Sequence, residues 1–153
     1  MRQSTEERKS STCHQIDESL CNRYPLDILI AEDNLVNQKL VTSILSKMGY
    51  KVRAVMNGRE AYELVKTEHF DIILMDLQMP EMTGIEATVK IKQDISADRQ
   101  PLIIALTANA MIEDKENCLN AGMVDYMSKP INLNILHNVL IKWGNYISKQ
   151  RMQ

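Results

Sequence analysis

Acids, a hydroxyl and a lysine recur in this chain where apolar runs stop. Glu32 and Asp33 follow LDILIA, Asp76 closes FDIILMD, Thr107 closes PLIIALT, and Lys129 follows MVDYMS. An ionised carboxylate at the end of a buried run is costly unless a cation or a task accompanies it. Two carboxylates about 4 Å apart repel by roughly 4 kcal/mol at an effective dielectric of 20, and a third makes this worse. One lysine does not neutralise three acids, so the set asks for a further cation. Oxygen-only donors on loops suit Mg²⁺, which keeps several waters and takes one or two carboxylates together with phosphate oxygens. Mn²⁺ favours the same hard oxygen donors. Such a set points to phosphoryl transfer, which is mostly positioning and charge neutralisation. A carboxylate such as Asp76 can act as the nucleophile and carry an aspartyl phosphate. No histidine stands where a base would. His14 lies in the polar start of the chain, His69 precedes the third apolar run, and His137 falls on the last predicted helix. An ionised carboxylate needs no base.

The elements between these residues must bring them together. The 153 residues suit one domain. Residues 1–24 are polar, of mixed charge and weak periodicity, and read as a flexible tail or linker. Ile16 and Leu20, four apart, leave room for a short docked helix instead. From Pro25 the pattern alternates. LDILIAED is a strand ending in acids, and NLVNQKLVTSILSKMG puts Leu40, Val41, Ile44, Leu45 and Met48 on one helical stripe before Gly49. YKVRAV alternates like a strand and ends at Val55-Met56, which offers no chemistry. Asn57-Gly58 is a turn signal. REAYELVKTEH is helical with Ala61, Leu64 and Val65 inward, FDIILMD is a strand, and IEATVKIKQ is a helix. PLIIALTA is a strand, MIEDKENCLNAG a helix closed by Gly122, and MVDYMS a short strand broken at Lys129-Pro130. INLNILHNVLIKWGNYI is a final amphipathic helix. Five strand–helix units imply an α/β fold, a parallel sheet with helices on both faces. That explains apolar runs such as DIILM and LIIAL. Ligands bind such sheets outside the carboxyl ends of the strands, and that is where the acids, Thr107 and Lys129 fall. The folded domain is expected over 25–147, with a stub at 148–153.

Composition excludes several classes. The net charge of −2 leaves no overall footprint for nucleic acid. Cys13, Cys21 and Cys118 form an odd set without C-x-x-C spacing, against a disulfide framework or a zinc site and in keeping with a reducing cytoplasm. No apolar run is long enough to span a bilayer, and the start of the chain lacks a signal-peptide core.

AEDN at 31–34, LMDLQMP at 74–80, ALTA at 105–108 and SKP at 128–130 stand in this order on these elements. Together they resemble the response-regulator receiver domain of two-component phosphorelays over about residues 26 to 147. EDNLVNQ, MDLQMPEMTGIEA, TANAM and AGMVDYMSKPI are most similar to the receivers of hybrid histidine kinases. The resemblance implies a flavodoxin-like doubly wound (βα)5 fold with strand order 2-1-3-4-5. It implies that Asp76 accepts phosphate from a histidine kinase or a histidine phosphotransfer domain. Asp33 and Asp76 would hold Mg²⁺ with the backbone carbonyl of Gln78 and with Glu32, directly or through water. Thr107 would hydrogen-bond one phosphoryl oxygen and Lys129 would pair with another, aimed by a cis Lys129-Pro130 bond. Thr107 and Tyr126 would be the switch pair. Such a domain catalyses its own phosphorylation and dephosphorylation without turnover of an external substrate. Gln78 and Asn109 are where the family tunes the phosphate's lifetime. The signalling face would include Tyr126 and parts of 111–121 and 132–147.

Plainer readings exist for each residue. Asp76 could cap the loop before Pro80. Glu32-Asp33 could be a helix N-terminal pair, with Asp33 or Asn34 as the cap. Tyr126 could be an ordinary core or surface tyrosine, and the methionines are packing. A pseudo-receiver that binds partners without phosphorylation is one alternative. A small phosphatase is another, but it would want D-x-D after its first strand, where this chain has Asp76-Leu77-Gln78 after the third. No P-loop or G-x-G-x-x-G is present. Too little chain follows Pro130 for a DNA-binding output domain. The readout is therefore expected in a partner or in a larger protein, with the domain in the cytoplasm, alone or as the cytoplasmic part of a membrane-bound hybrid kinase.

Overall fold

The computed structural model describes residues 20–108 and 112–151. Its strands are β1 (Ile28–Ala31), β2 (Val52–Val55), β3 (Ile72–Asp76), β4 (Leu102–Thr107) and β5 (Asp125–Ser128). Its helices are α1 (Leu20–Arg23), α2 (Leu35–Lys47), α3 (Gly58–Thr67), α4 (Gly84–Asp94), α5 (Ile112–Ala121) and α6 (Leu133–Arg151). All neighbouring strands are parallel, in the order β2-β1-β3-β4-β5. β1 and β3 are adjacent, so the topological switch point of the sheet lies between the strand ends that carry Glu32 and Asp76.

The alternation along each central strand sends side chains to two cores. Ile28, Ile30, Ile72, Leu74, Ile104 and Leu106 pack against α2 and α6 through Val41, Leu45, Leu136 and Leu140. Leu29, Ala31, Ile73, Met75, Ile103 and Ala105 pack on the other face, against α3, α4 and α5. Every residue of β1 and β3 is buried, whereas β2, at the edge, is half exposed. Burying one such aliphatic side chain is worth about 1.5–3 kcal/mol, so the central strands are the rigid part of the frame.

The helices start where local chemistry predicts. The side chain of Asn34 accepts from the Asn37 N–H, Asn57 accepts from the Glu60 N–H, and Thr83 forms a capping box with Glu86. Asn34, not Asp33, is therefore the cap of α2, which leaves the Asp33 carboxylate available at the sheet edge. Gly122 ends α5 at φ 111°, a backbone conformation that L residues rarely adopt.

Two packing expectations need correction. Leu40 is 44% exposed and does not share the inward stripe of Val41, Leu45 and Met48. On α3, Tyr62 is buried and Leu64 only partly so. The ring of Tyr62 covers the α3–α4 seam while its hydroxyl donates to Asp94, a polar tip that an apolar pattern does not register.

The ends of the fold also differ from the expected 25–147. The expected tail lies outside the described residues as far as 19, but Leu20–Arg23 form a helical turn with Leu20 fully buried. The Tyr50 hydroxyl donates to Tyr24 O at 2.7 Å, and a Cβ at Gly144 would lie 2.9 Å from the Tyr24 side chain. At the other end α6 runs to Arg151, where a stub from 148 was expected. Arg151 donates to Asp71 Oδ1 at 2.6 Å and to Pro25 O at 3.3 Å, so α6 is tied down past its last apolar turn.

Candidate functional site

Strand polarity gathers one pole of the sheet into a cavity of about 790 Å³. Glu32, Asp33, Asp76, Gln78, Thr107 and Lys129 all line it. Six residues from four strand ends thus meet as expected, because adjacent parallel strands end at the same level. Asp76 is the last residue of β3, Thr107 the last of β4, and Lys129 the first after β5.

Glu32, Asp76 and Thr107 are buried, while Asp33 is exposed. The Lys129 ammonium lies 2.8 Å from Glu32 Oε1 and 3.0 Å from Asp76 Oδ2. The Lys129-Pro130 peptide is cis, and the Lys129 N–H donates to Thr107 O at 2.7 Å. Asp76 Oδ1 accepts from the Gln78 N–H at 3.2 Å, and Glu32 Oε2 accepts from the Asn34 N–H at 3.2 Å. Both buried carboxylates therefore have donors.

Charge remains in excess. Ligand oxygens of Glu32, Asp33 and Asp76 lie within 4.8 Å of one another, around one ammonium. Burial, with the hydrogen bond to Asp76, pushes the Glu32 carboxyl up to about 7, against the pull of Lys129 and the Asn34 N–H. Burial lowers Lys129, but the two carboxylates outweigh it and the net shift is upward. The site relieves its repulsion by holding a proton on Glu32 or by taking in a cation. The donors are all oxygens, one carboxylate is exposed, and the cavity has room for waters. These properties fit a hard divalent ion such as Mg²⁺.

The backbone around Asp76 is held by close contacts. Gly84 N–H donates to Leu77 O at 3.1 Å, and a Cβ at Gly84 would sit 2.3 Å from Asp76 O. Only a glycine lets α4 start this close to the strand end. Gly58 N–H donates to Met82 O, tying the loop after β3 to the start of α3.

Tyr126 is not among the cavity's lining residues. It lies on β5 opposite Ala105, half-buried against the α3–α5 side, with the Lys115 ammonium 4.6 Å from its ring centre. Asn109 and Met111 fall outside the described residues. His69 is at the opposite pole, 3.0 Å from Asp71, and His137 is on α6.

Other lining residues had no signal of their own: Asn37, Thr83, Ile85 and Asn117. Asn37 and Thr83 are legible only as first-turn and cap residues. Val55 and Met56, at the end of β2, do not line the cavity. Val55 O accepts from the Glu32 N–H at 3.1 Å.

A family model described as the response regulator receiver domain matches residues 28–141. The chain is 48% identical over 118 residues to the hybrid signal transduction histidine kinase H of Dictyostelium discoideum, covering 74% of this chain and 8% of that protein. It is 43% identical over 129 residues to the sensor histidine kinase GacS of Pseudomonas protegens, covering 83% and 14%. The chain thus spans a small part of the curated relatives it matches. Among solved structures it is similar to the receiver domain of a Pseudomonas aeruginosa sensor histidine kinase with magnesium in its active-site cleft. There the TM-score is 0.71 and the identity 41%, over 78% of this chain and 98% of that one. It is also similar to the receiver domain of the Saccharomyces cerevisiae response regulator Ssk1, crystallised with the histidine phosphotransfer protein Ypd1. In that case the TM-score is 0.72 and the identity 34%, over 78% and 88%.

Proposed function

The chain belongs to the response regulator receiver domain family, and from that premise we propose that Asp76 accepts a phosphoryl group from a phosphohistidine in a Mg²⁺-dependent reaction. One observation carries the reading. Asp76 is a buried carboxylate at the switch point of the sheet, held by Lys129 at 3.0 Å and crowded by Glu32 and Asp33. A purely structural acid would be neutralised by its lysine and would not be placed beside two others.

An oxygen of the Asp76 carboxylate forms a bond to phosphorus while the bond from phosphorus to the donor's imidazole nitrogen breaks. That nitrogen keeps the electron pair, and the imidazole leaves neutral with the proton already carried by its other ring nitrogen. Lys129 pairs with a phosphoryl oxygen, and the buried Thr107 donates its hydroxyl to another. Glu32, Asp33 and Asp76, with the carbonyl of Gln78, would hold Mg²⁺. When bound it would offset the charge on the transferred oxygens and on the acidic cluster. Drawing Thr107 to the phosphoryl group leaves space for Tyr126 to turn inward, at the cost of its contact with Lys115.

The donor is proposed to be a helical phosphotransfer or kinase domain. Beside the cavity mouth, Leu35, Val36 and Leu40 of α2 are 55%, 76% and 44% exposed. A contiguous apolar shelf of this kind favours a protein partner over a free small molecule. The chain is proposed to act in the cytoplasm and to release its signal through another protein or another part of a longer one.

The test is intact-protein mass after incubation with Mg²⁺ and a small acyl phosphate. A phosphate adduct is expected with the native chain and none with Asp76→Asn or with excess chelator. An adduct that survives Asp76→Asn would sink the reading.

A further inference from the structure

We infer that Gln38 is a positioning residue for the acidic loop, setting the backbone from which Glu32 and Asp33 reach the metal; this rests on the Mg²⁺ reading above. Gln38 is in the first turns of α2 and its side chain turns back over the sheet. Its amide nitrogen lies 3.1 Å from Glu32 O and 3.1 Å from Val55 O, with Met56 Sδ at 3.5 Å. A carboxamide nitrogen has two hydrogens. Here they serve the carbonyl of Val55, the last residue paired in the ladder between β1 and β2, and that of Glu32, the first residue past it.

The consequence is a closed frame. The Glu32 N–H donates to Val55 O, and Gln38 donates both to that same oxygen and to Glu32's own carbonyl. Glu32 is thus held at both ends of its backbone. On the other side Asn34 is fixed by its cap to Asn37 N and by its N–H to Glu32 Oε2. Asp33 sits between two pinned residues. Its carboxylate is exposed and makes none of the contacts that hold Glu32, so its aim depends on this backbone. Water could satisfy the same carbonyls, since Gln38 is only half-buried. What water would not supply is the fixed distance between two strand ends and the start of α2. Outer groups that orient metal ligands typically change affinity by about 10–100-fold when removed.

The substitution Gln38→Met keeps an unbranched side chain and helix propensity but removes both donors. Isothermal calorimetry with Mg²⁺ alone as the probe is run on native and variant chains. A melting curve in chelator is recorded beside it. The expected result is a drop in Mg²⁺ affinity of about tenfold or more, with a melting midpoint close to native. Gln38→Ala should give the same loss, which covers the case where methionine packs badly. Variant affinity within about twofold of native would overturn the inference, as would a fall in the midpoint with unchanged affinity. A native chain that binds no Mg²⁺ would overturn the metal reading and this inference with it.

Discussion

Lys129 Nζ lies 2.8 Å from Glu32 Oε1. The pair links the residue after β5 to the residue after β1, across the ends of β3 and β4. Its reach makes the site one electrostatic unit: what happens to Glu32 is felt at Lys129, and through Lys129 at Asp76.

Glu32 should make the stability of the metal-free protein fall as pH rises. Its carboxyl is pushed up to about 7 in the folded state from an ordinary 4.5, chiefly by burial. Between those values the native chain binds more protons than the unfolded one, so the contribution is present below 4.5 and lost as pH passes through about 7. Melting midpoints in chelator, taken from about pH 5 to about pH 8, should decline more in the native chain than in Glu32→Gln. The difference between the two chains cancels every contribution that they share. Parallel curves would remove Glu32 from this role.

Lys129→Met should slow phosphorylation of Asp76 by about 10²-fold, the usual effect of deleting one donor to developing oxyanion charge. The rate of adduct formation with a small acyl phosphate measures it. A rate within a few-fold of native would mean that Lys129 only balances charge in the resting site.

Leu20→Ala should destabilise the fold by about 2–5 kcal/mol, because a fully buried leucine leaves a cavity. Chemical denaturation reads this directly. An unchanged midpoint would mean that the turn at Leu20–Arg23 is not part of the cooperative unit, although it lies outside the family match at 28–141.

Much of the architecture was legible because it rests on repeated local signals. Apolar runs ending in Asp76 and Thr107, with helical stripes between them and breaks at Gly49, Asn57-Gly58 and Gly122, set both the parallel sheet and its functional pole. What stayed hidden depends on single long-range contacts. Gln38 and Val55 meet through a backbone carbonyl, which no residue type announces. Leu20 lies in a polar stretch, and one apolar side chain there carries no periodicity. Arg151 extends α6 through an ion pair to Asp71, far off in sequence. Leu40 fits a helical stripe but points outward, because a thirteen-residue helix has more apolar positions than the sheet can cover. The unburied ones flank the cavity mouth.

The central claim is that Asp76 carries the phosphoryl group. An aspartyl phosphate is a mixed anhydride, so borohydride reduces it to an alcohol at the modified residue, and peptide mass mapping then reports the position. After phosphorylation with Mg²⁺, the reduced product is expected in the peptide containing Asp76 and at that residue. Reduction at Asp33, at Glu32 or at no acid of this cavity would contradict the account.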